Sequence, residues 1–500
     1  MKRSKFSLSN YKLFSCDMGE LIPCGIYEVL PGDTAQHATS ALVRAAPLLA
    51  PVMHPVNVRI HHWYVPYRLI WEDFEDFITG GPDGMDASDY PTVDMSWTAG
   101  SPPTGTGIVG GLGDYLGVPT GIDGLTVSAL PFRAYALIFN EWYRDQDLTS
   151  ELVIDFTSGA DTTTNMLLQN IAWEKDYFTS ARPWEQKGPA ITIPIGTTAP
   201  VEGIDEDIQF SNETDATGRT MTTRAASSAQ DRIGLSAQPT ATDDARWANT
   251  ALEADLSGAS SVTVNVLREA MALQRYEENR ARFGSRYVEY LRYLGVRSSD
   301  ARLQRPEYLG GGSHTIQFSE VLATAEGAST DVGDLKGHGI AAMRSNRFRR
   351  FFEEHGVVIS MMSVRPRSMY MQGLPKMWNR RVKEDFWQKE LQHIGQQAVL
   401  NKELYAPHAT PDGTFGYQDR YDEYRRAEST VSGEFRESTL NYWHLARDFG
   451  SDPALNDTFV ECVPTERIFA APDNDVLYIM ARHSVQARRM VAATGKSFIF

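Results

Sequence analysis

Alternating positions between Val56 and Tyr64 predict a β-strand that is half buried in a sheet. Every second residue from Val56 falls on one face, and the residues between them fall on the other. Pro66 ends this pattern, and from Arg68 the apolar residues recur at helical spacing until Gly80–Gly81. The stretch therefore predicts a strand that leads directly into an amphipathic helix packed beside the sheet.

Three more runs predict strands, at His314–Ser319, Gly356–Val364 and Val476–Ala481. Because Gly356–Val364 is apolar at almost every position, it predicts a strand that is buried on both faces. Two long helices are also predicted. One begins at Pro131, where proline suits the first helical position, and one runs from a cap at Asn265 to Gly284.

Two segments differ in composition from the rest of the chain and predict insertions. Residues 80–131 are dense in glycine, proline and aspartate, which favour turns over strand ladders, and predict an ordered surface insertion. Residues 191–262 are rich in Thr, Ser, Ala and acidic residues, and their only aromatic residues are Phe210 and Trp247. Such a segment buries little apolar surface by itself, so a flexible loop and an ordered projection both fit it.

Charge is distributed unevenly along the 500 residues. The net charge of −16 argues against a freestanding nucleic-acid-binding protein. However, residues 1–16 and 476–500 contain basic residues and no acidic ones. The basic residues of these two stretches are Lys2, Arg3, Lys5, Lys12, Arg482, Arg488, Arg489 and Lys496. They fit either ordinary solvated tails or surfaces that contact a polyanion.

Catalytic and metal-binding motifs are incomplete in this sequence. The ATGKSF run at Ala493–Phe498 resembles the end of a phosphate-binding loop, but Met490 stands where that motif needs its first glycine. His61 and His62 are neighbours on a predicted strand, so they point to opposite faces and predict packing rather than metal ligation. The three cysteines form no C-x-x-C pair, which fits a reducing cytoplasm without disulfides. No signal peptide or membrane-spanning run is expected.

Several long motifs carry a resemblance to a known family. LPGD at Leu30–Asp33, APVMHPVNVRIHHWYVPYRL at Ala50–Leu69 and EDFITGG at Glu75–Gly81 resemble the major capsid protein of microviruses, the small tailless icosahedral phages with single-stranded DNA. The similarity is closest to the gokushovirus-like branch. It extends from about residue 9 to about residue 492, with a poor match over 191–262.

The resemblance implies a fold and a function. The implied fold is mainly β, a viral jelly-roll antiparallel β-sandwich with long loop and helix-containing insertions, forming one domain over 1–500. The implied protein is not an enzyme. Sixty copies form a T=1 icosahedral virion shell around circular single-stranded DNA, assembled in the host bacterial cytoplasm. The implied partners are an internal scaffolding protein, a DNA-pilot protein, a small basic DNA-binding protein and a host surface receptor, without membrane insertion.

Two site predictions also follow from the resemblance. The segment 191–262 is expected to project at the threefold axes and to take part in host attachment. Its candidate residues are Asp205, Glu206, Asp207, Phe210 and Trp247. The basic residues near both ends of the sequence are expected to face the genome. No cofactor is expected beyond structural calcium, for which no ligand residues can be matched. The alternative function is a receptor- or carbohydrate-binding β-sandwich spike, which would stay small in solution.

Overall fold

The computed structural model of the chain describes residues 3–82, 85–189, 191, 264–283, 304–324 and 331–493, with short strands between 201 and 254. The chain divides into two compact units, Met1–Glu185 with Arg280–Phe500, and Gln186–Asn279. The strands before the second unit are β1 (Ser4–Ser7), β2 (Asn10–Cys16), β3 (Leu21–Val29), β4 (Thr34–Ala45), β5 (Val56–Pro66), β6 (Thr92–Met95), β7 (Trp97–Thr98), β8 (Thr104–Gly105) and β9 (Leu125–Ser128).

The second unit contains short antiparallel strands. They are β10 (Val201–Gly203), β11 (Gln209–Ser211), β12 (Arg219–Thr220), β13 (Thr222–Arg224), β14 (Arg232–Gly234), β15 (Arg246–Asn249) and β16 (Leu252–Ala254). The remaining strands are β17 (Glu307–Thr315), β18 (Gln317–Leu322), β19 (Leu335–Arg344), β20 (Phe348–Phe351), β21 (Gly356–Pro366), β22 (Gln396–Leu400), β23 (Thr414–Asp419) and β24 (Leu477–Arg489). The α-helices are α1 (Phe74–Thr79), α2 (Leu112–Leu116), α3 (Leu130–Trp142), α4 (Val264–Phe283), α5 (Asn401–Leu404) and α6 (Asp457–Val460).

Two antiparallel sheets form the body of the first unit. A seven-stranded sheet has the order β1-β24-β4-β19-β18, with β2 also paired to β24 and β20 to β4. A four-stranded sheet has the order β17-β5-β21-β3. Buried residues of both sheets, such as Val43 and Ile479 from one and Val58 and Ile60 from the other, share one apolar core. The fold is therefore the predicted mainly β, antiparallel sandwich of the jelly-roll type.

The strand expected at Val56–Tyr64 and its period of two are confirmed, but the expectation that this strand is half buried is wrong, because no residue of β5 is exposed. Along β5, the side chains of Val56, Val58, Ile60 and Tyr64 point into the sandwich and are almost completely buried. The opposite face of the same sheet packs on α3 through a second apolar core. A sheet that is covered by another sheet on one side and by a helix on the other exposes neither face. This explains why β21 is buried along nearly its whole length, as its sequence predicted.

Three predicted elements differ from the structure. The helix expected from Arg68 is a 3-10 turn at Tyr67–Leu69 followed by the short α1. The strand expected at His314–Ser319 is interrupted at Ile316, where the chain leaves the four-stranded sheet as β17 and enters the seven-stranded sheet as β18. The strand expected at Val476–Ala481 extends to Arg489, because its later outward positions are polar and its inward ones are buried. The helices expected at Pro131 and Asn265 are confirmed as α3 and α4, although α4 begins at Val264 and Asn265 therefore lies inside the helix rather than at its cap.

Candidate nucleic-acid interface

Basic residues from opposite ends of the sequence meet on the seven-stranded sheet. Both β1 and β2 pair antiparallel with β24, so Lys5 lies opposite Arg488 and Tyr11 lies opposite Arg482. Directly opposed residues in an antiparallel pair share one face of the sheet. All four of these side chains are exposed. The register therefore joins two charged stretches that are more than four hundred residues apart in sequence.

This side of the seven-stranded sheet, which we call the basic face, is turned away from the apolar core. Along β24 the alternate residues Ala481, His483 and Val485 are buried in the sandwich, while Arg482 and Arg488 are exposed. The same alternation continues across the neighbouring strands. The basic residues at outward positions are Lys5, Arg44, Lys336, Arg344, Arg349, Arg482 and Arg488. The one acidic residue on these seven strands is Glu320 of β18, which is exposed but lies opposite Gly337, at a position that alternates with that of Lys336.

Four of these cations lie outside the two basic stretches of the sequence. Arg44 lies opposite Tyr478, Arg344 is paired with β4, Arg349 is paired with the same strand from β20, and Lys336 is on β19. Lys336, Arg344 and Arg349 lie within residues 335–352, which contain five basic residues and no acidic one, so a count of charge along the whole sequence would have revealed them. Alternation in LKGHGIAAMR, the sequence of β19, would have placed Lys336 and Arg344 on one face.

Aromatic rings are interleaved with the cations on the basic face. The exposed rings are Tyr11, Tyr478 and Phe351. The Arg482 guanidinium carbon is 5.7 Å from the centroid of the Tyr11 ring. Arg3 is similarly placed 5.6 Å from the centroid of the Phe351 ring, and its Nη1 donates to the Gly32 carbonyl oxygen at 2.9 Å. Cations that bind phosphates, next to rings on which bases stack, suit single-stranded nucleic acid without sequence preference.

Two of the predicted basic residues are engaged elsewhere. Lys12 lies on the other face of β2, where its Nζ donates to the carbonyl oxygens of Pro23, at 2.9 Å, and Tyr115. Burial lowers the pKa of Lys12 from its usual value. Arg489 forms an ion pair with the buried carboxylate of Asp33, with Nε and Oδ2 3.0 Å apart. These two side chains stabilise the sandwich locally, so the basic face does not depend on them.

The other seven predicted site residues lie near the ends of the sequence or in the Gln186–Asn279 unit. Lys2, Lys496 and the acidic residues Asp205, Glu206 and Asp207 lie outside the described residues. Phe210 and Trp247 occupy opposed positions on the paired strands β11 and β15 of the Gln186–Asn279 unit. Their role in host attachment, like the genome-facing role of the basic residues, stays a prediction.

The histidine pair on β5 points to opposite faces, as its sequence predicted. His62 lies inside the sandwich, where its ring nitrogens are 2.8 Å from the Ser360 hydroxyl and 2.9 Å from the Ser345 hydroxyl. His61 contacts the Tyr143 hydroxyl at 2.8 Å on the other side. In the described part of the chain, no group of three or more His, Cys, Asp or Glu side chains is arranged to hold a metal ion. The calcium expectation therefore has no residues assigned to it.

The cysteines are buried in the apolar interior. Cys16, Cys24 and Cys462 all carry free thiols. Burial raises the pKa of Cys24 and of Cys462 to about 12, so neither forms a reactive thiolate at neutral pH. Over the residues that the structure describes, no helix is long and apolar enough to cross a membrane.

Comparisons with known proteins identify the family. The profile of the family described as capsid protein (F protein) matches residues 1–499. Capsid protein VP1 of Bdellovibrio phage phiMH2K is 37% identical, with 94% of this chain and 90% of that protein aligned. Capsid protein VP1 of Chlamydia phage 1 is 32% identical over 95% of this chain and 91% of that protein. Capsid protein VP1 of Spiroplasma virus 4 is 32% identical over 92% and 87%. The chain therefore belongs to the microvirus capsid protein (F protein) family, whose members are structural components of the virion.

Proposed function

We propose that sixty copies of this chain assemble into a T=1 icosahedral shell around a circular single-stranded DNA genome, with the basic face directed at the DNA. The observation that carries the proposal is the basic face itself: seven outward basic residues, with no acidic residue at an outward position of the same strands, in a chain of net charge −16. Packed DNA is a dense polyanion, and an acidic inner wall would repel it. Gathering cations on one sheet face reduces that repulsion and leaves the other surfaces acidic.

The chemistry of the basic face supports sequence-independent contact. Lysine and arginine neutralise phosphates whatever the neighbouring base is. Exposed tyrosines such as Tyr11 and Tyr478 offer rings for base stacking, which every base can use. A shell protein must enclose a whole genome, so indifference to sequence suits this role. A small basic DNA-binding protein, also implied by the resemblance, would share the work of neutralisation.

Assembly in the host cytoplasm with an internal scaffolding protein and a DNA-pilot protein is part of the same proposal. So are an absence of catalytic turnover and the use of segment 191–262 in host attachment. A shell that closes on itself repeats the same contacts around its symmetry axes. Loops and short helices inserted between the strands of the sandwich provide surfaces of the kind that such contacts need.

Charge reversal on the basic face tests the proposal. Particles carrying Arg482→Glu and Arg488→Glu should assemble but protect less DNA from nuclease and release it at lower salt. Each lost phosphate contact should reduce the slope of log affinity against log salt by about 0.7. The matched control is Arg268→Glu with Arg275→Glu, two exposed residues of α4.

Two results would count against the proposal. If the Arg482/Arg488 variant has the DNA content and salt dependence of the wild type, the basic face does not contact the genome. If wild-type protein from infected cells remains monomeric or trimeric in the presence of its scaffolding protein, the chain does not form a shell.

A further inference from the structure

A loop at residues 375–394 displays large apolar side chains to solvent. The side chains are those of Met377, Trp378, Val382, Phe386, Trp387 and Ile394, and we call them the loop patch. The exposed fraction of each residue is between 52% and 61%. Single exposed apolar residues are common in soluble proteins, but a concentration in one loop marks an interaction site.

The loop is held in place by its own polar groups. Oδ2 of Asp385 accepts the backbone N–H groups of Arg381 at 2.6 Å and of Val382 at 3.0 Å. Single 3-10 turns at Lys376–Trp378 and Lys383–Asp385 further fix the backbone. The apolar side chains are therefore displayed by an ordered backbone.

Tyr421 anchors the loop from the protein interior. Its hydroxyl lies 3.0 Å from the carbonyl oxygen of Phe386 and accepts from the backbone N–H of Gln388 at 3.3 Å. The φ angle of Tyr421 is 63°, and no other non-glycine residue in the described ranges has a positive φ. A bulky residue in this region is strained, and such strain is concentrated at functional sites. Here the strained residue positions the backbone that carries Phe386.

Arg380 joins the loop patch to a neighbouring ring. Its guanidinium carbon is 4.5 Å from the centroid of Tyr424 and 5.5 Å from that of Phe386, and it pairs with Glu423 at 3.6 Å. The flanking positions Lys383 and Lys389 are exposed and charged. Aromatic residues, methionine and arginine surrounded by a charged rim are the typical composition of a protein–protein interface.

The size of the loop patch also fits a protein partner. Six large side chains, each about half exposed, present on the order of 600 Å² of surface. A stable protein–protein interface buries about 800 Å² on each partner. The patch therefore supplies most of one side of such an interface.

We propose that the loop patch is a contact to a second copy of this chain in the assembled shell. The inference rests on the proposed shell function, because assembly is what brings a second copy to this surface. Single-stranded DNA is a less suitable occupant. The aliphatic side chains Met377, Val382 and Ile394 cannot stack on bases. Three of the five basic residues of the loop, Lys376, Arg380 and Lys383, are already paired with the carboxylates of Glu403, Glu423 and Glu384.

Site-specific photo-crosslinking identifies the occupant. The photoreactive residue p-benzoylphenylalanine replaces Trp387 in the full chain, and purified particles are irradiated. The expected product is a crosslinked dimer of this chain, in genome-filled and in empty particles alike. A crosslink to DNA, a crosslink to a different protein, or no crosslink in intact particles would overturn the proposal while leaving the shell function standing.

Truncation of the anchors provides a second test. Phe386→Ser with Trp387→Ser should reduce particle yield roughly tenfold or more, because buried aromatic anchors dominate interface affinity. Val153→Ser with Leu167→Ser, two apolar residues of similar exposure outside the loop, is the matched control and should assemble normally. Circular dichroism and the unfolding temperature of unassembled protein establish that the variants fold. A double variant that folds and assembles with wild-type yield would contradict the proposal, and a failure of wild-type protein to form particles would instead contradict the shell function.

Discussion

At the scale of single residues, the sandwich interior contains a histidine cluster that bridges the two sheets. His37 and His483 come from the seven-stranded sheet and His62 from the four-stranded sheet, and the ring centroids of His37 and His62 are 4.5 Å apart. His483 Nε2 donates to the Cys24 carbonyl oxygen at 2.8 Å, so its Nδ1 accepts the Thr39 hydroxyl at 2.9 Å. Burial lowers the pKa of all three rings, which favours the neutral form of each in the core.

Packing around the cluster leaves little space for a change. A Cβ atom at Gly25 would lie 2.5 Å from the His483 ring, so glycine is required where β3 passes this ring. The Thr39 hydroxyl is also 3.1 Å from Nε2 of His37, which links the two histidines of the same sheet. A proton added to the cluster would place a charge among other imidazoles in an apolar core.

Acid sensitivity of folding follows from this cluster. Burial, together with the neighbouring imidazoles, lowers the pKa of His37 to about 2 and that of His62 to about 3. Below about pH 6.5 the histidines of the unfolded chain therefore bind protons, while those of the folded cluster do not. The stability contributed by the cluster is lost as pH falls below about 6.5. In urea unfolding of the unassembled chain, His37→Gln should reduce the dependence of stability on pH by up to about 1.4 kcal/mol per pH unit between pH 6 and 4.

The control for this measurement is His338→Gln, because His338 is an exposed histidine on the basic face. It should leave the slope of stability against pH unchanged. An identical slope in the wild type and in a folded His37→Gln variant would show that this cluster does not determine the acid response.

At the scale of elements, α3 is attached to the chain that follows it by a fully buried ion pair. Arg133 Nε lies 2.8 Å from Asp161 Oδ2, and neither side chain is exposed. The guanidinium also donates to the carbonyl oxygens of Ile70, at 3.1 Å, and Thr157, at 3.0 Å. Asp161 accepts the hydroxyl of Thr164 at 2.6 Å. The pair thus joins the helix to the segments on either side of it.

Breaking this pair should strongly destabilise the first unit. Asp161→Ala leaves a buried guanidinium without its counter-charge, so we expect a loss of about 3–5 kcal/mol in the free energy of unfolding. Glu354→Ala removes the partner of Arg68 from a partly exposed ion pair and should cost less than about 1 kcal/mol. Chemical denaturation measures both variants. Equal losses would mean that burial of the Arg133 pair has no energetic consequence.

At the scale of the whole molecule, the chain combines a sandwich with a second unit of different composition. The short strands β10–β16 occur in the Gln186–Asn279 unit, within the segment that has few apolar residues. Among the residues that the structure describes, the two large apolar cores of the sandwich consist of residues of the first unit. We therefore expect the sandwich to fold without the residues of the insertion.

Deletion of the insertion tests its predicted role. Residues 203–258 are replaced by a short Gly-Ser linker in the full chain. Particles should still form, because the strands of both large sheets remain, but adsorption to host cells should be lost. A deletion variant that fails to fold would place the segment in the structural core, and one that adsorbs normally would exclude it from attachment.

The sequence by itself determined the family, the mainly β class and several strands. Contiguous motifs such as that at Ala50–Leu69 indicated the family. Local alternation at Val56–Tyr64 predicted the strand β5 and which of its residues face the sandwich interior. The apolar run at Gly356–Val364 correctly indicated a strand covered on both faces. These features are local, because side-chain period and composition depend only on neighbouring residues.

Only the tertiary structure decided which residues share a surface. Alternation shows that Arg482 and Arg344 face the same way as their own alternate neighbours, but not that β24 and β19 both pair with β4. Strand partners are chosen by non-local packing, so neither the basic face, the histidine cluster nor the change of sheet at Ile316 can be read from local pattern. Lys12 is a further example of non-local packing. Its charge is visible in the sequence, but its burial against Tyr115 depends on a segment about a hundred residues away.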